Sequence, residues 1–291
     1  RMFERLRDGQ RFLDELSGRM TDPMFRPAGC TFDREEPREI EKVFAHAGTD
    51  KEIVARDLWA KLSWIANDES DLSLRIRFSC GHERLNDWVG DSERAVWADQ
   101  FAEEVFPECA ILSRNEDLLA ALDALCEQPV RLSERIIYSN APGGGAVFHH
   151  DADPGQLGVV FAQYAGRTAW LALPARQLAD EVARAAKDCS GDSESAEIEA
   201  FCDAEAVLSA MQTSPLPKAL WQLLNREPSF TERLVDRGAL YVVEPGDVLL
   251  LPTHDFAKTT WHSVFALGKR ASLAHSFGIF PGAADAARPE T

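Results

Sequence analysis

The residues best suited to chemistry lie in the segment SNAPGGGAVFHHDADPGQ, residues 139–156. His149 and Asp151 have the spacing H-x-D, and in a strand two residues this far apart project to the same face. An imidazole and a carboxylate on one face can bind a metal ion, whereas the plainer alternative is a polar turn between two strands. The three glycines at 143–145 permit a tight turn immediately before the strand.

A third ligand is available downstream, in EPGDVLLLPTHDFAKTTWHSV. His262 follows Trp261 at the beginning of an apolar segment, which favours a position at the start of a strand. Two histidines and one carboxylate from separate strands form the facial triad of non-haem iron sites, and zinc also binds such ligands. The sequence therefore predicts a metal site formed by His149, Asp151 and His262.

Three other histidines compete for these positions. The side chain of His150 should face away from Asp151, so we predict that it lies beside the site or on the outer surface. His254 is the rival of His262 and is expected in a loop that lines the entrance. His275 lies within a strand pattern and is predicted to pack in the core or beside the site rather than to bind metal.

The composition limits the class of protein. The chain has 291 residues, of which 45% are hydrophobic, enough for a substantial core in one large or two modest domains. Its 31 basic and 48 acidic residues give a net charge of -17, which disfavours nucleic acid as a partner. Six scattered cysteines, a charged N-terminal segment and the lack of a long apolar run predict a cytoplasmic protein without a membrane span.

Residues 1–128 are predicted to form a mainly helical region that packs on the rest of the chain. The segments REEPREIEKVFAHAG and DKEIVARDLWAKLSWIAND carry apolar residues at three- and four-residue spacing. The segments DSERAVWADQFAEEVFP and EDLLAALDALCEQ also have helical patterns. Between these helices, DLSLRIRFSCG alternates apolar and polar residues and predicts a strand.

Residues 129–281 have a different pattern. Short segments rich in Val, Leu, Ile, Phe and Trp, separated by Gly and Pro, predict antiparallel strands that close into a barrel or jelly roll. A helical insert with a mobile, acidic centre is predicted at about 176–237, and 282–291 form a tail. The predicted fold class is therefore mixed α and β, with a jelly-roll core, a helical N-terminal region and a helical insert between core strands.

The motifs of this core resemble a known family. APGGGAVFHHDADPGQLGVVFAQYAGRTAWLALP, followed by PGDVLLLP and TTWHSV, resembles the JmjC and cupin-like branch of the 2-oxoglutarate-dependent oxygenases, in particular its bacterial ribosomal-oxygenase subgroup. The resemblance covers residues 131–281 apart from the insert. It implies a double-stranded β-helix in which His149, Asp151 and His262 bind Fe(II), with 2-oxoglutarate as cosubstrate and O2 as oxidant.

The same resemblance assigns roles to residues around the metal. Gln163 matches a glutamine on the core strand that follows H-x-D, and Trp170 matches the aromatic residue after the next turn. Asn140 falls where the family places a polar group near the cosubstrate, and Tyr138 can add a hydroxyl group.

The chain departs from the family at the cation that pairs with the distal carboxylate of 2-oxoglutarate. Thr168 occupies that position, and the neighbouring Arg167 should point to the opposite face of the strand. A dianion needs a cation, ideally a guanidinium that binds it through two hydrogen bonds. Arg270, a few residues after His262, is the expected replacement.

The resemblance implies an oxygenase that hydroxylates a C–H bond of a small amino-acid-like or peptide-like substrate. The helical insert and the loop HHDADPGQ are expected to roof the pocket, which favours a small molecule, although the acidic surface also suits a basic protein substrate. Three alternatives stay open: a protein side-chain hydroxylase, a cupin-type metal enzyme without 2-oxoglutarate, and an inactive barrel that acts as a binding module. The sequence leaves open whether the chain forms a homodimer.

Overall fold

The computed structural model describes residues 9–15, 18–19, 25–32, 39–47, 53–64, 73–80, 92–151, 155–189, 196–253 and 255–282. The strands in these ranges are β1 (Phe25–Phe32), β2 (Glu39–Ala47), β3 (Ile53–Trp64), β4 (Leu74–Cys80), β5 (Val130–Asn140), β6 (Gly145–His149), β7 (Gly158–Ala165), β8 (Arg167–Pro174), β9 (Leu240–Val243), β10 (Val248–Pro252), β11 (Thr260–Leu267) and β12 (Ser272–Pro281).

Helices precede β5 and separate β8 from β9. They are α1 (Ser92–Val105), α2 (Ala110–Ser113), α3 (Glu116–Cys126), α4 (Ala175–Cys189), α5 (Ala196–Glu199), α6 (Ala204–Met211), α7 (Lys218–Arg226) and α8 (Pro228–Asp236). Residues 9–15 are also helical. Within the described part of the chain, no helix combines the length and the apolar character needed to cross a membrane.

The strands form two antiparallel sheets. The large sheet has the order β1-β2-β3-β4-β5-β12-β7-β10, and the small sheet has the order β6-β11-β8-β9. Strands β5 to β12 are thus shared between the sheets, so that β6 leaves the large sheet after β5 and β7 returns to it. This interleaving places segments that are distant in sequence side by side.

The buried apolar side chains form three clusters, because successive side chains of a strand point to opposite faces of its sheet. One cluster lies between the two sheets and includes Phe161 of β7, Trp170 of β8 and Val264 of β11. The second packs the opposite face of the large sheet against α1 to α3, and the third packs the outer face of the small sheet against the helices between β8 and β9. Each core strand therefore offers one set of side chains to the helices and the other set to the space between the sheets.

The prediction of a mainly helical N-terminal region is wrong. The two segments with three- and four-residue spacing form strands β2 and β3, and β1 to β4 extend the large sheet beyond β5. In β3 the buried residues Leu58, Ala60 and Leu62 are two positions apart and pack beneath the helices. A mixture of helix and strand spacing is ambiguous in a short apolar segment, and here the pairing with β2 and β4 selects the extended form. The helices predicted from residues 92 and 116 are present as α1 and α3.

The strands predicted after residue 129 are confirmed, and so is the mixed α and β class. Helices α4 to α8 occupy the place of the predicted insert, while residues 190–195, its predicted mobile centre, lie outside the described residues. The described helices of the insert pack on the outer face of the small sheet. The expectation that they roof the pocket between the sheets is therefore wrong, because a sheet separates them from it.

His275 packs in the cluster beneath the helices, on the face of β12 that points away from the small sheet. Its side chain is buried, its Nδ1 lies 3.6 Å from the Sγ of Cys109, and its ring lies 4.4 Å from that of Tyr164. Burial chiefly lowers the pKa of His275 to about 4, and the charge of Arg135 acts in the same direction.

This burial predicts a pH-dependent stability. Below its ordinary pKa of 6.5 the unfolded chain protonates at His275, whereas the folded chain resists protonation until about pH 4. Stability should therefore fall as the pH decreases between these values, by about 3 kcal/mol from this residue. In His275→Gln, urea unfolding at pH 7.5 and 4.5 should show a correspondingly smaller difference than in the wild type. If the free energy of unfolding changed by the same amount between the two pH values in both proteins, the lowered pKa of His275 would be contradicted.

Candidate metal centre

The pairing of β6 with β11 brings the two predicted histidine ligands together. His149, the last residue of β6, is the direct cross-strand partner of His262 in β11. The neighbours of these histidines, Phe148 and Trp261, point to the outer face and are buried among the helices of the insert. Because side chains alternate along a strand, this burial directs both imidazoles into the space between the sheets.

Asp151 completes the cluster from the segment just beyond β6. Its Oδ1 lies 3.5 Å from Nε2 of His149, and its Oδ2 lies 3.5 Å from Nε2 of His262. One ligand atom from each of the three residues lies within 4.8 Å of the other two. These separations are longer than normal hydrogen bonds and suit three atoms that share an ion at about 2.1 Å from each. The arrangement is a group that can hold a metal ion.

The imidazole tautomers also suit metal binding. The Nδ1 of His149 lies 2.7 Å from the carbonyl oxygen of Val147, and the Nδ1 of His262 lies 3.3 Å from that of Thr260. A carbonyl oxygen accepts, so each Nδ1 carries the proton and each Nε2 offers a lone pair toward Asp151. A backbone acceptor of this kind commonly orients a metal-binding histidine.

Electrostatics favour the deprotonated forms that a metal requires. Burial lowers the pKa of His262 to about 4, and the neighbouring His149 acts in the same direction, so His262 is neutral at pH 7. Burial disfavours the charged form of Asp151, but the nearby His149, His262 and Arg75 together outweigh burial and lower the pKa of this carboxyl group.

A hydrogen-bonded chain fixes the ring that supports His262. Trp170 stacks on His262 with 5.0 Å between the ring centroids and 27° between the planes. The indole Nε1 of Trp170 donates to Oγ1 of Thr168, and this hydroxyl donates to Oε1 of Gln163. The amide nitrogen of Gln163 donates in turn to the carbonyl oxygens of Ala165, on the same strand β7, and of Leu273, on the neighbouring β12. Trp170 thus contacts His262 directly, and Gln163 is linked to Trp170 through Thr168.

A small cavity of about 30 Å³ adjoins the three ligands. Tyr138 and Asn140 contribute to its wall, and most of the remaining wall is apolar. Asn140 is buried, and its side-chain oxygen has no hydrogen-bond partner among the described residues. A buried polar atom of this kind is costly unless a ligand or water satisfies it.

The other candidate residues do not belong to the group of three ligands. The ring of His150 packs against those of Trp261 and Phe256, with centroid distances of 4.9 and 5.8 Å, and His150 also lines a pocket that includes Asp151. His254 lies outside the described residues. Arg270 is exposed in the turn between β11 and β12, and it is absent from the described residues that line the cavity. Arg167 is also exposed, and it forms an ion pair with Glu244.

Sequence reasoning missed two arginines. Arg75 and Arg77 of β4 line a second pocket of about 190 Å³, which includes Asp151 in its wall and shares Tyr138 and Ser276 with the cavity at the metal ligands. The alternation of Arg with apolar residues in LRIRFSC placed both on one face of a strand. Nothing local to that segment indicated that the strand would join the large sheet beside β5.

No protein-family model and no curated protein matches this chain. Solved structures that are similar to it include the ribosomal oxygenase YcfD from Escherichia coli, with 15% identity and a TM-score of 0.33, over 93% of this chain and 44% of that one. Another is HygX from Streptomyces hygroscopicus, determined with nickel and 2-oxoglutarate bound, with 17% identity and a TM-score of 0.32, over 61% of this chain and 66% of HygX. KdgF from Halomonas sp. matches 54% of this chain and 82% of its own, with 10% identity and a TM-score of 0.23.

The alignment to YcfD spans less than half of that chain's length. Identities and TM-scores this low assign no activity to the present chain, so its function has to be argued from the geometry of its own residues.

The geometry predicts that the three ligands act together. Replacing His149, Asp151 or His262 singly by Ala should weaken Co(II) binding on the order of 100-fold or more, because each change removes one of three protein ligands. Co(II) titration followed by visible absorption measures this loss. His150→Gln, next to the cluster but outside it, should bind Co(II) within threefold of the wild type. Equal losses in His150→Gln and His149→Ala would contradict the assignment.

Gly145 is predicted to be essential for the approach of β6 to β11. A Cβ at this position would lie 1.8 Å from the carbonyl oxygen of Val264, so Gly145→Ala must displace one strand from the other. We expect a loss of about 3 kcal/mol or more in the free energy of unfolding, together with weaker Co(II) binding. At Gly143 no atom lies within 4 Å of an added Cβ, and only the positive φ of 72° opposes alanine. Gly143→Ala should therefore lose only about 1–2 kcal/mol and keep the metal site; equal effects would contradict the prediction.

Proposed function

We propose that this chain is an Fe(II)- and 2-oxoglutarate-dependent oxygenase that hydroxylates a C–H bond of a small amino-acid-like or peptide-like substrate. The observation that carries the proposal is the convergence of two imidazole Nε2 atoms and one carboxylate between two antiparallel sheets. A set of two histidines and one carboxylate with open positions is the characteristic ligand set of non-haem Fe(II) oxygenases.

The strand order supports a double-stranded β-helix as the core of this enzyme. Strands β5, β12, β7 and β10 are consecutive in the large sheet, and β6, β11, β8 and β9 form the small sheet. A jelly roll has eight strands in two sheets, and its interior is wide enough for a ligand. The metal ligands then come from β6, the segment after it, and β11, all at the side of the small sheet that faces the interior.

The residues of the chain fit a bound Fe(II) ion and a polar cosubstrate. When bound, these groups supply the activation of O2 that oxidises the C–H bond. His149 and His262 would hold the ion through Nε2, while their Nδ1 atoms stay attached to the backbone. The Trp170 ring restrains His262, and its own position is fixed by Thr168. The buried Asn140 supplies a polar atom to the cavity that no other described residue satisfies.

The apolar wall of the cavity protects the reaction from water. Val159 and Phe161 of β7, Leu251 of β10 and Val264 of β11 surround the metal ligands, and all four are buried. Excluding water strengthens the electrostatic interactions of a charged site and prevents side reactions. The dimensions also favour a small substrate, because the two adjoining cavities measure about 30 and 190 Å³.

A metal-dependent enzyme that does not use 2-oxoglutarate is the second candidate. The hydroxyl of Thr168, at the position of the family's cation, is already hydrogen-bonded to Gln163 and Trp170. Among the described residues that line the cavity at the ligands, none is Lys or Arg. This candidate keeps the metal site but predicts no specific binding of 2-oxoglutarate.

The proposal predicts a visible absorption band under anaerobic conditions. Wild-type protein with Fe(II) and 2-oxoglutarate should develop a metal-to-ligand charge-transfer band, because the 2-oxo acid chelates the iron. His262→Ala should not develop it, and Zn(II) in place of Fe(II) should give no band in the wild type. A wild type that binds Fe(II) but gives no band on addition of 2-oxoglutarate would favour the second candidate and contradict the first.

A further inference from the structure

Strand β4 presents two arginines to the interior of the fold. In LRIRFSC, Ile76 and Phe78 are buried in the cluster beneath α1 to α3. Because side chains alternate along a strand, Arg75 and Arg77 project from the opposite face of the large sheet. That face of the large sheet faces the small sheet and the metal ligands.

The register of the neighbouring strands places these arginines beside the candidate metal centre. Arg75 is paired with Tyr138 of β5, and Arg77 is paired with Ile136. Ile136 is paired in turn with Ser276 of β12. Tyr138 and Ser276 line both the pocket at the arginines and the cavity at the metal ligands, so the two cavities adjoin.

The pocket at the arginines is polar and adjoins Asp151. Its wall contains Arg75, Arg77, His150, Gln156 and Ser276, together with the carboxyl group of Asp151. The guanidinium of Arg77 also lies over the ring of Trp59, 5.8 Å from its centroid, which helps to fix its position. Two guanidinium groups on one side of a small pocket form a fork that suits a carboxylate.

The charge of the pocket suits an anionic ligand. The chain as a whole carries a net charge of -17, yet this pocket places two arginines next to a site for a divalent ion. A carboxylate that reaches the guanidinium groups forms charge-assisted hydrogen bonds with them.

The volumes of the two cavities indicate where an anionic ligand bound at the metal would extend. The cavity at the metal ligands, at about 30 Å³, accommodates about one or two water molecules. An organic acid with one end at the metal therefore extends beyond this cavity, and the adjoining pocket of about 190 Å³, which the arginines line, can accommodate its other end.

We propose that Arg75 and Arg77 form a carboxylate-binding subsite for a small organic acid whose other end lies at the metal. The inference rests on the proposed function for the position of that other end. The carboxylate belongs either to the distal end of 2-oxoglutarate or to the oxidised substrate, and the chemistry of recognition is the same for both. Thr168 occupies the position at which the family has a cation, so in this chain the cation would come from β4. That strand lies outside the eight strands, β5 to β12, that form the proposed core.

Calorimetric titration of Co(II)-loaded protein tests the proposal. The probes are 2-oxoglutarate, 2-oxobutyrate, which lacks the distal carboxylate, and glutarate added after 2-oxoglutarate. If the subsite serves the cosubstrate, the double variant Arg75→Gln/Arg77→Gln binds 2-oxoglutarate on the order of 100-fold more weakly and 2-oxobutyrate unchanged. If the subsite serves the substrate, the double variant binds 2-oxoglutarate as the wild type does. Glutarate then binds to the wild type that already holds Co(II) and 2-oxoglutarate, but it does not bind to the double variant.

Matched variants separate this subsite from a general loss of positive charge. Arg167→Gln changes an exposed arginine of β8 and should leave every probe unaffected. Arg75→Lys, which keeps the charge without the fork, should give an intermediate loss. The proposal would be overturned if the double variant bound every probe as tightly as the wild type does. It would also be overturned if Arg270→Gln, and not the double variant, lost affinity for the probes.

The proposal and the proposed function can fail separately. If the wild type does not bind Co(II), the proposed function fails, and glutarate is titrated into the metal-free protein instead. Binding of glutarate to the wild type but not to the double variant would still support the subsite. No binding of any carboxylate probe to the wild type, with or without metal, would overturn it.

Discussion

The candidate site depends on one constraint, the register between β6 and β11. Only when His149 lies opposite His262 can their Nε2 atoms face the same carboxylate. A slip by one residue would turn one imidazole to the outer face of the small sheet, among the helices of the insert. Gly145 makes the register attainable, because the β11 backbone passes where its side chain would be.

The layers on both sides of the sheets maintain this register. Phe148 and Trp261, next to the two histidines, are buried against the helices between β8 and β9. On the other side, α1 to α3 cover the outward residues of β3, β4, β7 and β12. The helices thus contribute to the site through the strands that they hold, and the inward-facing residues are left for ligands, cavity walls and charges.

The sequence was sufficient where the information is local. The spacing of His149 and Asp151, the aromatic residue before His262 and the alternating strands after residue 129 correctly predicted which side chains converge. The predictions failed where the structure depends on pairing between strands that are distant in the sequence. Strands β2 and β3 carry spacing that also fits a helix, and only their neighbours in the sheet select the extended form. Arg75 and Arg77 show the same limit, because their chemistry depends on β4 lying beside β5.

The central claim is that His149, Asp151 and His262 bind one metal ion between the sheets. Anomalous diffraction from crystals grown with Co(II) tests it most directly. The account predicts one strong peak at about 2.0–2.3 Å from both Nε2 atoms and from a carboxylate oxygen of Asp151. A peak bound to other residues, or a map in which these three side chains diverge without an ion between them, would contradict it.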